Sequence, residues 1–258
     1  MSAKSTKVSV LGCGWLGLPL ASFLIKQGFN LKGSVRSTQK LALLQSKNII
    51  PFLVDIDTEN EIDLDFFAAE VLIISIPSKN LIGFQRLMSQ IEKSSIKKII
   101  FISTTSVYPN SEKLITEAHK TLETPLAKIE QLFVANTSFK LTIIRFGGLF
   151  GAERKPGNFF KNGRIIKNPE GVVNMIHQED CIALIYRIIQ KGITDDVFNA
   201  CAEAHPTRRE FYTKAKLDLG MEVPIFEENQ PILMKKISSE KIKDVLGFTF
   251  KHSDLLNV

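Results

Sequence analysis

Cysteine is scarce in this chain. Cys13, Cys181 and Cys201 are the three among 258 residues. They stand far apart in apolar surroundings, without metal-like spacing and in odd number, which excludes a disulfide framework and a zinc knuckle. We expect three buried small hydrophobes in a reducing cytoplasm. No apolar run approaches the ~20 residues that a bilayer span needs. Residues 1–7 are short and polar and leave no room for a signal peptide. The expectation is a cytoplasmic protein with no membrane partner. Basic stripes are missing as well. Lys and Arg number 33 against 27 Asp and Glu, a net charge of +6. The bases come as scattered pairs (Lys97-Lys98, Arg208-Arg209, Lys235-Lys236) with acids between them, which argues against a nucleic-acid partner. A mildly basic cleft serves an anionic cofactor or substrate equally well. Repeats, low-complexity tracts and charge-block tails are also absent.

What is present is ordered alternation. Hydrophobic residues make up 44% of the chain and mean hydropathy is +0.06, values of a globular protein large enough to bury a sizeable core. Strand signals at 8–11, 30–36, 49–56, 71–76, 98–103 and 140–146 alternate with helical ones at 17–28, 81–94 and 124–136. That order predicts an α/β fold with a Rossmann-type doubly wound parallel sheet. Beyond Gly147 the pattern loosens into loops around a helix at 179–191, a strand at 196–200 and a helix at 207–220. We expect residues 1–150 to form a nucleotide-binding domain, with 177–204 returning to it. Residues 151–258 would form a small substrate lobe.

The most informative segment is Val8-Ser-Val-Leu-Gly-Cys-Gly-Trp-Leu-Gly17. A strand feeds Gly12, Gly14 and Gly17 in G-x-G-x-x-G spacing, and a helix with Leu16, Leu20, Phe23 and Leu24 on one face follows. Gly12 permits the tight turn, Gly14 lets backbone approach a pyrophosphate, and Gly17 lets helix pack on strand. The helix start offers N–H groups and the positive dipole end, with Trp15, Leu16 and Gly17 as donors. The second strand then ends in Arg36, Ser37 and Thr38, with no acid between Lys32 and Gln39. An NAD site usually places a carboxylate there for the ribose 2′-hydroxyl, whereas Arg suits a 2′-phosphate. The expected cofactor is therefore NADP rather than NAD.

By the fifth strand the residues resemble a family. Ile102-Ser-Thr-Thr-Ser-Val-Tyr108 is similar to the SS-x-x-VYG stretch of extended short-chain dehydrogenase/reductases, the group of sugar-nucleotide epimerases and dehydratases. Arg145-Phe-Gly-Gly-Leu-Phe-Gly151 resembles its loop after the sixth strand. Asn174-Met-Ile-His-Gln-Glu-Asp180 resembles its N-x-IH-x-x-D element, Val197-Phe-Asn-Ala its VYN, and Lys241-Ile-Lys-Asp-Val-Leu-Gly-Phe248 its LGF ending. The pairing of the glycine segment with Ala204-His-Pro-Thr-Arg-Arg-Glu-Phe-Tyr212 is most similar to a YeeZ-type bacterial branch. The resemblance implies an adenine contact at Asp55 and Ile56. It also implies cofactor contacts at Ile76, Pro77, Ser103, Phe146 and Gly147, the last two along the nicotinamide.

Two departures stand out. Leu11 occupies the family's usual first glycine, and the Tyr-x-x-x-Lys pair is incomplete, since 113–138 holds no tyrosine. Alignment on Lys128 puts Thr124 at the tyrosine position; alignment on Glu130 puts Leu122 there and Leu126 at the lysine. Positioned acid–base groups contribute roughly 10²–10⁴-fold, so the usual chemistry needs a substitute. Candidates for catalysis are Thr104, Tyr108 and Lys128. Each has a plainer role: a loop Thr bonding local backbone, a packed Tyr and a solvated Lys. His177, with Asp180 as a helix-start partner, and His205 suit structure as well as chemistry; His119 and Glu117 lie in a substrate loop. No spacing suggests a metal. The expected function is an NADP-dependent oxidoreductase or epimerase acting on a small anionic or nucleotide-linked substrate, and the alternative is a non-catalytic NADP-binding sensor. A two-domain β-hydroxyacid-type dehydrogenase ranks last, because it needs long helices where 147–173 reads as loop.

Overall fold

A computed structural model describes residues 6–160 and 163–257. The first five residues of the polar start lie outside the described residues. In chain order the elements are β1 (Lys7–Leu11), α1 (Gly17–Lys26), β2 (Asn30–Val35), α2 (Leu41–Gln45), β3 (Ile50–Leu53), β4 (Val71–Ile74), α3 (Leu81–Ile91), β5 (Lys98–Thr104), β6 (Ser111–Ile115), α4 (Pro125–Val134) and β7 (Lys140–Phe146). There follow β8 (Gly148–Phe150), β9 (Met175–His177), α5 (Gln178–Lys191), β10 (Asp196–Ala200), α6 (Arg208–Leu217), β11 (Lys235–Ile237) and α7 (Glu240–Leu246).

Seven strands form one parallel sheet in the order β10-β7-β5-β4-β1-β2-β3. β1 pairs with β2 on one side (Val8 opposite Leu31) and with β4 on the other (Val8 opposite Val71). The chain therefore reverses its winding at β1, and the carboxyl end of β1 is where ligands enter sheets of this kind. The doubly wound sheet is as expected, with β10 as its seventh strand. β3 is shorter than its apolar run suggested, because Val54 to Asp57 already turn away.

The chain folds into two compact units that interleave in sequence. One takes in the chain up to Ser103 with Glu123–Ile144 and Ile188–Val197; the other takes in Thr104–Leu122, Arg145–Arg187 and the chain from Phe198 onward. In the first unit, Phe84 of α3, Phe101 of β5 and Phe133 of α4 meet with ring centroids 5.0–6.0 Å apart. Both helices begin on side-chain caps. Asn80 accepts the Gly83 N–H, and Thr124 accepts the Ala127 N–H ahead of Pro125. The second unit has its own core of Phe150, Ile166, Val173, Met175, Phe211, Tyr212 and Leu255. Two small parallel sheets, β11–β6 and β8–β9, flank it. Its α6 opens on a capping box, Thr207 with Glu210.

All three cysteines are buried and unpaired in disulfides. Among the described residues no helix is long and apolar enough to cross a membrane.

Candidate functional site

The glycine turn follows β1 directly. Gly12 has φ +98°, and a Cβ there would stand 2.6 Å from the Ser75 carbonyl oxygen. A Cβ on Gly17 would stand 2.1 Å from the Gly12 carbonyl oxygen. These two glycines let backbone pass against backbone. Gly14 is different: nothing lies within 4 Å of its missing side chain. Its hydrogen atom faces open space, as close approach by a ligand requires.

Ser34 on β2 fixes the turn at two points. Its Oγ accepts the Gly12 N–H at 3.0 Å, and its carbonyl accepts the Cys13 N–H at 2.7 Å. Sequence reading passed over Ser34; the signal was a small polar residue on the strand beside a glycine turn. The Cys13 sulfur fills the space above Gly33, where a Cβ would be 2.6 Å away, and burial pushes its thiol up to about 12. Leu16 is buried at the helix start and Trp15 is half-buried. Within the first turn of α1 the Leu18 and Leu20 N–H groups are taken by the Gly14 and Leu16 carbonyls, each at 3.1 Å, and Pro19 carries none, so an anion would meet the Trp15, Leu16 and Gly17 end of the turn. Ile76, half-buried after β4, rests against Gly12, and the exposed Pro77 follows it.

At the far end of β2, the Arg36 side chain is 65% exposed, and its Nη1 lies 3.9 Å from an Asp57 carboxylate oxygen. Ser37 is half-buried, and Thr38 opens a single 3₁₀ turn, Thr38–Lys40. Asp55 caps its own turn, accepting the Asp57 N–H at 3.0 Å on Oδ1. Ile56 is buried, and its carbonyl accepts from Arg86 Nη2 at 3.2 Å. Ser103 turns inward: its hydroxyl donates to Glu130 Oε1 at 2.5 Å, with both residues buried. Its hydroxyl proton is thereby committed to Glu130, and only the oxygen lone pairs of Ser103 remain to meet a ligand. Lys128, on the same helix as Glu130, is exposed.

In the second unit, Thr104 Oγ1 accepts the Ser106 N–H at 3.2 Å, the local-backbone role, which leaves its own hydroxyl proton to donate elsewhere. Tyr108 is 1% exposed. Its hydroxyl accepts from Arg145 Nη1 at 2.5 Å and donates to Asn199 Oδ1 at 2.9 Å, while the guanidinium lies over its ring. Burial, the largest influence, pushes the phenol above its ordinary range, against the opposing effect of Arg145. A phenol so held acts as a structural post. Glu117 accepts the Asn199 N–H at 2.7 Å, and His119 Nδ1 accepts the Thr116 N–H at 3.0 Å. Phe146 is buried; a Cβ on Gly147 would meet the Asn174 carbonyl oxygen at 2.5 Å.

His205 Nδ1 sits 3.2 Å from the Val173 carbonyl, and burial lowers its pKa; it is a satisfied loop histidine. Asp180 does not bond His177. Its carboxylate accepts the Lys251 and His252 N–H groups, tying down the C-terminal segment. His177, Glu179 and His252 gather with potential ligand atoms within 4.8 Å of one another, a grouping that sequence spacing gave no sign of. The two imidazoles lie against each other at a tilt of 41°, with centroids 3.8 Å apart, and one Glu179 oxygen is already shared by Lys251 and His252.

No family model matches the chain. Its fold is that of known structures. It superposes on UDP-glucuronic acid 4-epimerase from Bacillus cereus in complex with NAD, with a TM-score of 0.78 at 17% identity, covering 97% of this chain and 95% of that one. A functionally unknown conserved protein from Silicibacter pomeroyi gives a TM-score of 0.81 at 20% identity, with 98% and 96% covered. Sheet order, glycine turn and these likenesses define the class by fold: a Rossmann-type doubly wound sheet of the kind seen in a solved epimerase structure. Within it, the chain belongs to the YeeZ family, being 30% identical over 270 residues to Protein YeeZ of Escherichia coli K12, with 97% of each chain covered.

Proposed function

We propose that the protein binds NADP through the glycine turn and Arg36. In this reading it is an oxidoreductase or epimerase of atypical type, acting on a small anionic or nucleotide-linked substrate. One observation carries the cofactor reading: the open space over Gly14 beside two glycines that are themselves closed by backbone. Pyrophosphate then lies on the turn and the α1 start, adenine beside Asp55 and Ile56, and the 2′-phosphate at Arg36 with Ser37 and Thr38. The cofactor, when bound, supplies hydride chemistry. The chain's own residues orient it, and Thr104 offers a hydroxyl proton to substrate. The second unit, with Phe146 and Gly147 opening its share of the loop, takes the substrate.

A second reading is supported by the state of the nominated acid–base groups. Tyr108 is buried in a network and Lys128 is exposed on its helix, which supports a site with no stand-in for the absent family tyrosine. That favours a protein whose dinucleotide occupancy changes contact with a partner, without turnover.

The deciding experiment is calorimetric titration of NADP and NAD into wild type and Arg36→Ala. A charge-assisted hydrogen bond contributes roughly 1.5–3 kcal/mol, so its loss weakens NADP by on the order of tenfold to a hundredfold, and NAD much less. Equal losses for the two cofactors, or wild-type preference for NAD, overturn the NADP reading. Nicotinamide absorbance for net oxidation or reduction, together with chromatography of the nucleotide sugars for redox-neutral epimerisation, separates enzyme from sensor.

A further inference from the structure

Local sequence offers no carboxylate at the ribose end of the cofactor site, yet the fold delivers one. We propose that Asp57, carried in by the turn after β3, is a determinant of cofactor choice. Its carboxylate opposes a 2′-phosphate at Arg36 and accepts a hydrogen bond from an unphosphorylated ribose 2′-hydroxyl. The inference rests on the dinucleotide reading above.

Asp57 is an anchored acid. Ser78, just beyond β4, donates its hydroxyl to Asp57 Oδ1 at 2.6 Å. The Asp57 N–H is bonded to Asp55 Oδ1 at 3.0 Å, and the Thr58 hydroxyl donates to the Asp55 carbonyl at 3.0 Å. Arg86 ties the same turn to α3 by donating to the Ile56 and Thr58 carbonyls. The second carboxylate oxygen is thereby aimed at Arg36 Nη1, 3.9 Å away. That distance is the outer limit of an ion pair, and both side chains are solvated, so the contact holds Arg36 only weakly. The guanidinium can leave for a phosphate; the carboxylate, held by Ser78, stays. A phosphate arriving at Arg36 therefore meets a fixed negative charge within a few ångströms. A ribose hydroxyl arriving there meets a hydrogen-bond acceptor. The site reads both cofactors, and their ratio depends on the pair.

The experiment is titration of NAD and NADP, at one fixed ionic strength, into wild type, Asp57→Asn, Ser78→Ala and Arg36→Ala/Asp57→Asn. Asp57→Asn removes the charge with little change of shape at a solvated position, and a circular-dichroism melt checks its fold. We expect it to tighten NADP by about threefold to tenfold and leave NAD equal or weaker, raising the NADP:NAD affinity ratio by at least about threefold. Ser78→Ala should move the ratio the same way by less. A ratio that moves under about twofold, or falls, overturns the role of Asp57 while leaving the dinucleotide reading intact. Wild type that binds neither cofactor overturns both. Wild type that prefers NAD, with the ratio still shifted by Asp57→Asn, refutes the NADP assignment and supports Asp57.

Discussion

Adding one methyl group at two glycines three residues apart should produce opposite phenotypes. At Gly17 the new carbon would stand 2.1 Å from the Gly12 carbonyl oxygen, so β1 and α1 must separate. Overpacking of this kind costs about 1–3 kcal/mol. For a chain of this size each kcal/mol moves Tm by about 2–4 °C, so Gly17→Ala should lower Tm by roughly 2–12 °C. At Gly14 nothing lies within 4 Å and φ is not left-handed, so the folded protein accepts a methyl without strain. Reduced freedom of the unfolded chain should leave Gly14→Ala as stable as wild type or up to about 1 kcal/mol more so. The cost appears only with ligand. A methyl under the pyrophosphate holds the phosphates away from the α1 N–H groups, and loss of one charge-assisted bond weakens binding by roughly tenfold to a hundredfold. Because both cofactors share the pyrophosphate, NAD and NADP should weaken alike. Differential scanning fluorimetry gives the first quantity and calorimetric titration the second. If Gly14→Ala melts as low as Gly17→Ala, or binds dinucleotide as wild type does, the division into packing and ligand glycines is refuted.

Tyr108→Phe removes the hydroxyl shared by Arg145 and Asn199. It should cost about 1–3 kcal/mol, read as a shift in the chemical-denaturation midpoint, because two buried polar groups lose a partner; an unchanged midpoint would show the network to be slack. His177 supplies a pH dependence. Burial, and then the neighbouring His252, lower its pKa, so the unfolded chain binds the proton more readily. Its contribution is therefore present above the unfolded value of about 6.5 and lost as pH falls through the lower folded value. Tm should drop on acidification below about 6.5, and His177→Phe, which keeps a ring against Phe150, should flatten that slope.

The sheet was readable because its strands are buried on both faces and so appear as near-continuous apolar runs: β4 is Val71-Leu-Ile-Ile74 without a polar residue. The glycine turn was readable because its backbone demands are local. What escaped was whatever depends on register between strands. Asp57 reaches Arg36 only because β2 and β3 pair with Val35 opposite Leu53, which sets the two strand ends side by side. No window on the chain holds both residues. A packed Tyr108 was foreseeable, but its partners Arg145 and Asn199 arrive from β7 and β10 and could not be named from the chain. The meeting of His177 and His252 depends on Asp180 holding the C-terminal segment through two bonds, to residues 71 and 72 positions away.

β2 works as a ruler. Ser34 clamps the glycine turn, and Arg36 stands two residues further on, just past the end of the strand. At about 3.3 Å per residue, strand pitch sets the two backbone positions roughly 7 Å apart. The cradle and the root of the arginine keep that interval, and only the arginine side chain adjusts to a guest. Lengthening β2 by one residue would carry the arginine to the opposite face of the sheet and leave the cradle unmoved.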